Sequence, residues 1–166
     1  AIPYLAAKTE KLRFTTSVVK LAVRQPAIVA KQLSSMAVMI GDRFGFGVGI
    51  SPWPEDFLAC QIPWEKRGKR MDEMMEIVNG LMSGEYFGYD GEIFQLDPIK
   101  LTPVPDFHVP LLVGGHAKPA LRRAARLAAW AAHEVVRRVL AYRLPEDELG
   151  ALIADPDREV RITVAD

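Results

Sequence analysis

The sequence predicts an α/β fold built on a parallel sheet. Segments rich in β-branched residues alternate along the chain with segments whose apolar residues recur every three to four positions. Prolines and glycines fall at the joints between them. The stretch from Phe44 to Phe57 (FGFGVGISPWPEDF) reads as a buried strand running into a loop of prolines and aromatics. Strand ends that open into such loops are where α/β proteins place their ligands.

Ile2–Thr9 has a short helical pattern, with Pro3 tolerated in a first turn. Leu12–Val23 is rich in β-branched residues and reads as a strand. Its Thr15-Thr16-Ser17 patch has two readings: hydroxyls bonded to neighbouring backbone, or a polar edge facing a ligand. Pro26 opens a helix in which Val29, Leu33, Met36 and Ile40 should face a core, and Gly41 closes it. Phe44–Ile50 is the next strand. Its glycines either admit a flat ligand or another backbone, or relieve crowding in a packed interior.

Pro52, Pro54 and Pro63 punctuate Ser51–Pro63, which reads as a loop. Trp64–Ser83 is the clearest helix, with Met71, Met74, Met75, Val78, Leu81 and Met82 in one apolar stripe that belongs to a core. Glu65 and Lys69 sit four apart in the favourable order. Glu85–Val104 predicts two short strands around Asp90-Gly91. Val109–Val113 reads as a strand ending in Gly114-Gly115, with a helix over Ala117–Ala128. Strand, Gly-Gly, helix can hold a phosphate on backbone N–H groups, or the glycines simply permit the turn. Beyond these, Trp130–Tyr142 and Pro145–Ile153 read as helices and Val160–Val164 as a strand.

The chain has 166 residues, enough to bury one substantial core, and is expected to form one domain over 1–166. It opens without Met, and Ala1–Ala7 reads as the middle of a helix, so the expectation is that the natural protein begins upstream. With 21 basic and 21 acidic residues there is no polybasic field to attract nucleic acid or an anionic membrane. No apolar run reaches the roughly 18 to 20 residues of a membrane span. Cys60 is the only cysteine, so no intramolecular disulfide can form, which fits a reducing, cytoplasmic setting. His108, His116 and His133 are scattered without metal-ligand spacing, and no metal site is expected. No Gly-x-Ser-x-Gly elbow or phosphate-loop signature is present. Glu55 and Asp56 form a carboxylate pair in the central loop, and His116 follows the Gly-Gly pair.

As a set, these residues resemble the bacterial luciferase-like monooxygenase superfamily. The resemblance runs over about residues 1 to 128. It is carried by Thr16-Ser17-Val18, by Pro26 with Ala30-Lys31-Gln32-Leu33, and by Arg43-Phe44-Gly45-Phe46-Gly47-Val48-Gly49. It continues through Trp64–Glu73, Leu81-Met82-Ser83-Gly84, and Val113-Gly114-Gly115 with Ala120–Leu127. The Ser51–Phe57 loop looks most like the branch that uses the deazaflavin coenzyme F420.

The resemblance implies an α/β chain forming part of a (β/α)8 barrel, a fold that takes about 250 residues when whole. It begins at what would be the third strand, so the first two barrel strands are not in this sequence. Past Leu127 the family continues Gly-Asp-Gly-Trp and a glycine-bearing phosphate loop, where this chain has Ala128-Ala129-Trp130-Ala131. Ser17-Val18 matches the family's non-proline cis-peptide bulge behind the flavin or deazaflavin ring, flanked by Thr16 and Lys20. Gly49, Ile50 and Ser51 match the strand end bordering the ring, and Gly114 and Gly115 a strand end near the cofactor tail. The catalytic group does not transfer, because Ser51-Pro52-Trp53 stands where some relatives keep a glutamate, and Glu55 is the nearest carboxylate. The implied function is hydride transfer between a small organic substrate and F420, in a homodimer. The alternatives are an FMN-dependent monooxygenase, or a non-catalytic interaction module with an apolar interface on the Met71–Met82 helix or its neighbours.

Overall fold

The computed structural model describes residues 1–115 and 117–128. The elements expected at Trp130–Tyr142, Pro145–Ile153 and Val160–Val164, together with His116 and His133, lie outside the described residues. The chain divides into two compact units, one from Ala1 to Val109 and one from Pro110 onward.

In the first unit, α1 (Ile2–Ala7) leads to two short strands, β1 (Phe14–Thr15) and β2 (Val19–Lys20), and a single 3₁₀ turn at Leu21–Val23. Then come α2 (Pro26–Ile40), β3 (Phe44–Gly49), α3 (Pro54–Ala59) and α4 (Arg67–Leu81). The unit ends with β4 (Tyr86–Asp90) and β5 (Gln95–Lys100), an antiparallel pair. Both β1 and β2 run parallel to β3. Parallel neighbours need a crossover, and α2 supplies it. The bounds of α2 follow from its punctuation: Pro26 at the first position and Gly41, at φ +77°, after the last.

The strand expected over Leu12–Val23 is therefore two strands and a turn. Phe14 pairs with Phe44 and Thr15 with Gly45, an offset of 30 residues. Val19 pairs with Val48 and Lys20 with Gly49, an offset of 29. One extra residue has been taken up between Thr15 and Val19, which defines a one-residue bulge at Thr16-Ser17-Val18. The Ser17–Val18 peptide bond within it is cis.

A second correction concerns Ser51–Pro63. Pro54 begins α3 rather than stopping structure, since proline suits a first helical position. Glu55 and Asp56 then occupy the first turn, where acidic side chains are favoured. Pro98 lies within β5.

The core lies where α2 and α4 pack together. Val29, Leu33, Ala37 and Ile40 are buried on α2, whereas Met36 is only half-buried. On α4, Met71, Met74, Met75, Ile77, Val78 and Leu81 are buried. Each buried Val, Leu, Ile or Met side chain among them stabilises the fold by about 1.5–3 kcal/mol. The methionine stripe is thus core at Met71, Met74 and Met75, while Met82, just past the end of α4, is half-buried. Phe57, in the first unit's core, meets the Trp64 ring edge-on at 5.1 Å, so it seals the interior, while Trp53 is exposed.

The hairpin is tied to α4 by one side chain. Glu73 is 1% exposed, and its carboxylate accepts the backbone N–H groups of Glu92, Ile93 and Phe94 at 2.9, 3.0 and 3.0 Å. Lys69, four residues earlier, stands 3.5 Å from it. The expected Glu65–Lys69 pairing is thus replaced by a Lys69–Glu73 pair.

In the second unit, β6 (Leu111–Val113) ends at Gly114-Gly115, and α5 (Lys118–Ala128) follows. Gly115 has φ +145°, and a Cβ there would come within 2.7 Å of the Ala120 Cβ. The second glycine is thereby explained by the strand-to-helix turn.

Candidate functional site at the strand ends

Side chains on a strand alternate between faces. On β3, Phe44, Phe46 and Val48 share one face and are buried. Gly45, Gly47 and Gly49 share the other, so β3 contributes no side chain to it. By register, Thr15 and Lys20 lie on that glycine face.

The bulge crosses this face. A Cβ added to Gly47 would lie 1.8 Å from the Thr16 carbonyl oxygen. The Thr16 N–H donates to the Gly45 carbonyl at 3.3 Å, and its hydroxyl donates to the Gly47 carbonyl at 2.8 Å. Of the two readings of the Thr-Thr-Ser patch, backbone bonding holds for Thr16. Ser17 and Val18 are different: both are exposed, and Val18 keeps 45% of its surface open. The bulge therefore presents a short apolar step with a hydroxyl beside it.

At the C-terminal ends of β2 and β3 a polar lock forms. Ser51, buried at 1% exposure, donates its hydroxyl hydrogen to Asp56 Oδ2 and accepts the Trp53 N–H at 3.2 Å. The same Asp56 oxygen receives Lys20 Nζ at 2.5 Å. The Lys20 hydrogen bond, then that of Ser51, holds the Asp56 carboxyl below its ordinary range. Asp56 is therefore ionised at neutral pH, and Lys20 lies opposite Gly49 as its partner.

This arrangement sorts the expected site residues. Thr16, Ser17, Val18, Gly49, Ile50 and Ser51 are brought to one strand edge. Gly114 and Gly115 sit at the end of β6 in the second unit. Glu55 is exposed on α3, and it is the neighbouring Asp56 that turns inward to the strand ends. Sequence reasoning weighed Glu55 and missed the Lys20–Asp56–Ser51 lock. Its one legible signal was the acidic pair just inside a proline-initiated turn. Among the described residues no group of His, Cys, Asp and Glu could hold a metal ion. No described helix is long and apolar enough to cross a membrane. An open cavity of about 470 Å³ lies between Val23–Gln25, Ile28 and Cys60–Ile62, and none of the expected site residues lines it. Cys60 there is an exposed free thiol.

An uncharacterised protein of Mycobacterium tuberculosis (strain ATCC 25618 / H37Rv) is 54% identical over 76% of this chain and 44% of its own length. The 5,10-methylenetetrahydromethanopterin reductase of Archaeoglobus fulgidus is 32% identical over 74% of this chain and 36% of its own. An F420-dependent glucose-6-phosphate dehydrogenase of Microbacterium testaceum is 28% identical over 77% of this chain and 40% of its own. The chain thus spans less than half the length of these relatives.

Among solved structures, the monooxygenase RslO1 of Streptomyces bottropensis matches with a TM-score of 0.71 at 20% identity, over 99% of this chain and 49% of that one. The oxygenating constituent of 3,6-diketocamphane monooxygenase of Pseudomonas putida, in complex with FMN, matches at 0.66 and 19% identity, over 76% and 39%. An F420-dependent secondary alcohol dehydrogenase in complex with an F420–acetone adduct matches at 0.60 and 23%, over 80% and 40%. These three share its fold. Relatives of the chain include the F420-dependent glucose-6-phosphate dehydrogenase and an FMNH(2)-dependent dimethylsulfone monooxygenase of Pseudomonas putida, 28% identical over 76% of this chain and 36% of its own, and the α/β architecture is part of a luciferase-like barrel. Residues 2–163 match the family model described as luciferase-like monooxygenase, and the chain belongs to that family.

Proposed function

We propose that the protein is an F420-dependent oxidoreductase, moving a hydride between a small organic substrate and the deazaflavin ring. The observation that carries this reading is the bulge set against a strand face without side chains. Val18 offers an exposed apolar support, and β3 adds only glycines on its inner face. A flat tricyclic ring would lie against the exposed Ser17-Val18 step, and β3, with Gly47 buried beneath Thr16, sends no side chain toward it. The ring supplies the redox chemistry when bound. The chain's own contribution is to orient it on Thr16, Ser17 and Val18, border it with Gly49, Ile50 and Ser51, and exclude water. Gly114 and Gly115 would serve the cofactor tail. The protein would work as a cytoplasmic homodimer with its whole length as one luciferase-like domain.

FMN is the second reading, and the FMN complex among the fold's relatives supports it. Titrating the full-length protein with F420 and, separately, with FMN decides between them. A saturable change in ring absorbance and fluorescence with F420 alone is the expected result. The same change with FMN alone moves the assignment to a flavin monooxygenase. Absence of both, in a folded protein, overturns the cofactor reading and leaves the interaction module.

A further inference from the structure

We infer that Lys20 is the ligand-binding donor of this site, and that Asp56 and Ser51 are the positioning residues that aim it. The inference rests on the cofactor reading above and deepens it. Lys20 ends β2 opposite Gly49, on the face to which β3 contributes no side chain. An ammonium carries three N–H donors. One of them is committed to Asp56 at 2.5 Å. The side chain is 45% exposed, so the others are open at the strand ends.

Ser51 cannot take the same role. Its hydroxyl hydrogen is committed to Asp56, and the Trp53 N–H already bonds its oxygen. It is almost completely buried. Ser51 therefore fixes Asp56, and Asp56 fixes Lys20. A lysine left alone would spread over many rotamers, and the lock removes much of that freedom before a ligand arrives. Lys20 would present its N–H to a carbonyl oxygen of the bound ring system, an acceptor that deazaflavins and flavins share.

The test measures dissociation constants of the full-length protein for F420 and FMN by fluorescence, in wild type, Lys20→Met, Lys20→Arg and Asp56→Asn. For the cofactor that binds, Lys20→Met should weaken binding about tenfold, the scale of one charge-assisted hydrogen bond. Lys20→Arg should restore most of it. Asp56→Asn should fall between, since it keeps the charge and loosens its aim. The salt dependence of binding should flatten in Lys20→Met and persist in Asp56→Asn. Thermal unfolding runs beside each titration, because loss of the lock alone lowers stability equally in Lys20→Met and Asp56→Asn without touching salt dependence. Wild-type binding that is retained in Lys20→Met overturns this assignment and leaves the cofactor reading standing. No binding of either cofactor to the wild type overturns both.

Discussion

The Thr16 carbonyl oxygen occupies the space that a side chain on Gly47 would need, 1.8 Å from where its Cβ would be. This is backbone against backbone, so neither partner can rotate aside. Gly47→Ala should force the bulge out of place and cost about 1–3 kcal/mol, the usual range for overpacking. Denaturant unfolding measures the loss. Because Ser17 and Val18 move with Thr16, the same variant should bind cofactor more weakly even where it remains folded.

That contact also marks the limit of what the sequence made legible. The ends of α2 and the start of β3 could be read because Pro26, Gly41 and the Phe-Gly alternation act locally. The bulge was legible only through the family resemblance at Ser17-Val18, which the cis bond there matches; composition over Leu12–Val23 does not show it, because the register slip is set by pairing with residues about thirty positions away. α3 was hidden because Pro54 signals both a break and a first helical position. The Lys20–Asp56 bond joins residues 36 apart, and no local pattern announces it. In the sequence, Glu73 stands out only as the end of the family-like Trp64–Glu73 stretch. Its position among buried methionines is intelligible once the hairpin 19 to 21 residues later supplies the donors.

Glu73 gives the second prediction. Burial alone would raise its carboxyl's pKa, but the N–H groups of Phe94, Ile93 and Glu92, with Lys69, outweigh burial and lower it from 4.5. A folded-state value below the unfolded one means that the stabilisation is complete above about pH 4.5 and is lost as pH falls through the lower, folded value. Glu73→Gln should destabilise by about 1–3 kcal/mol at neutral pH, because an amide turns its own N–H toward backbone donors. It should also show less additional loss below pH 4.5 than the wild type. Urea unfolding from pH 7 to pH 3 reads both effects.

Tyr89 supplies a third. Burial first, and then its hydrogen bond to Glu76 at 2.5 Å, push the phenol's pKa well above its ordinary 10. With a raised folded value, the contribution is present below pH 10 and fades as pH rises toward it. Tyr89→Phe should cost about 1 kcal/mol at neutral pH. In an ultraviolet titration, the variant should lose a phenolate step that in the wild type comes only above the ordinary tyrosine range.

The last prediction concerns Arg70, which ties three parts of the first unit together. Its Nε donates to the Ala22 carbonyl at 2.8 Å and its Nη2 to the Arg24 carbonyl at 3.2 Å. Its guanidinium lies 4.5 Å from the centre of the Phe94 ring. Ala22 belongs to the 3₁₀ turn that directly follows Lys20, so Arg70 fixes the backbone on which the strand-end lysine stands. Burial lowers the pKa of this guanidinium from its ordinary value, the expected cost of drawing a cation out of water. A lysine keeps a positive charge but has neither the planar fork nor the stacking face. Arg70→Lys should therefore destabilise the chain by about 1–2 kcal/mol. Hydrogen exchange should speed up at the Arg24 amide, which closes that turn onto the Leu21 carbonyl, before it does in the α4 core. An unchanged exchange rate at Arg24, with the loss of stability spread evenly over α4, would mean that Arg70 supports the core in general and not the turn beside Lys20.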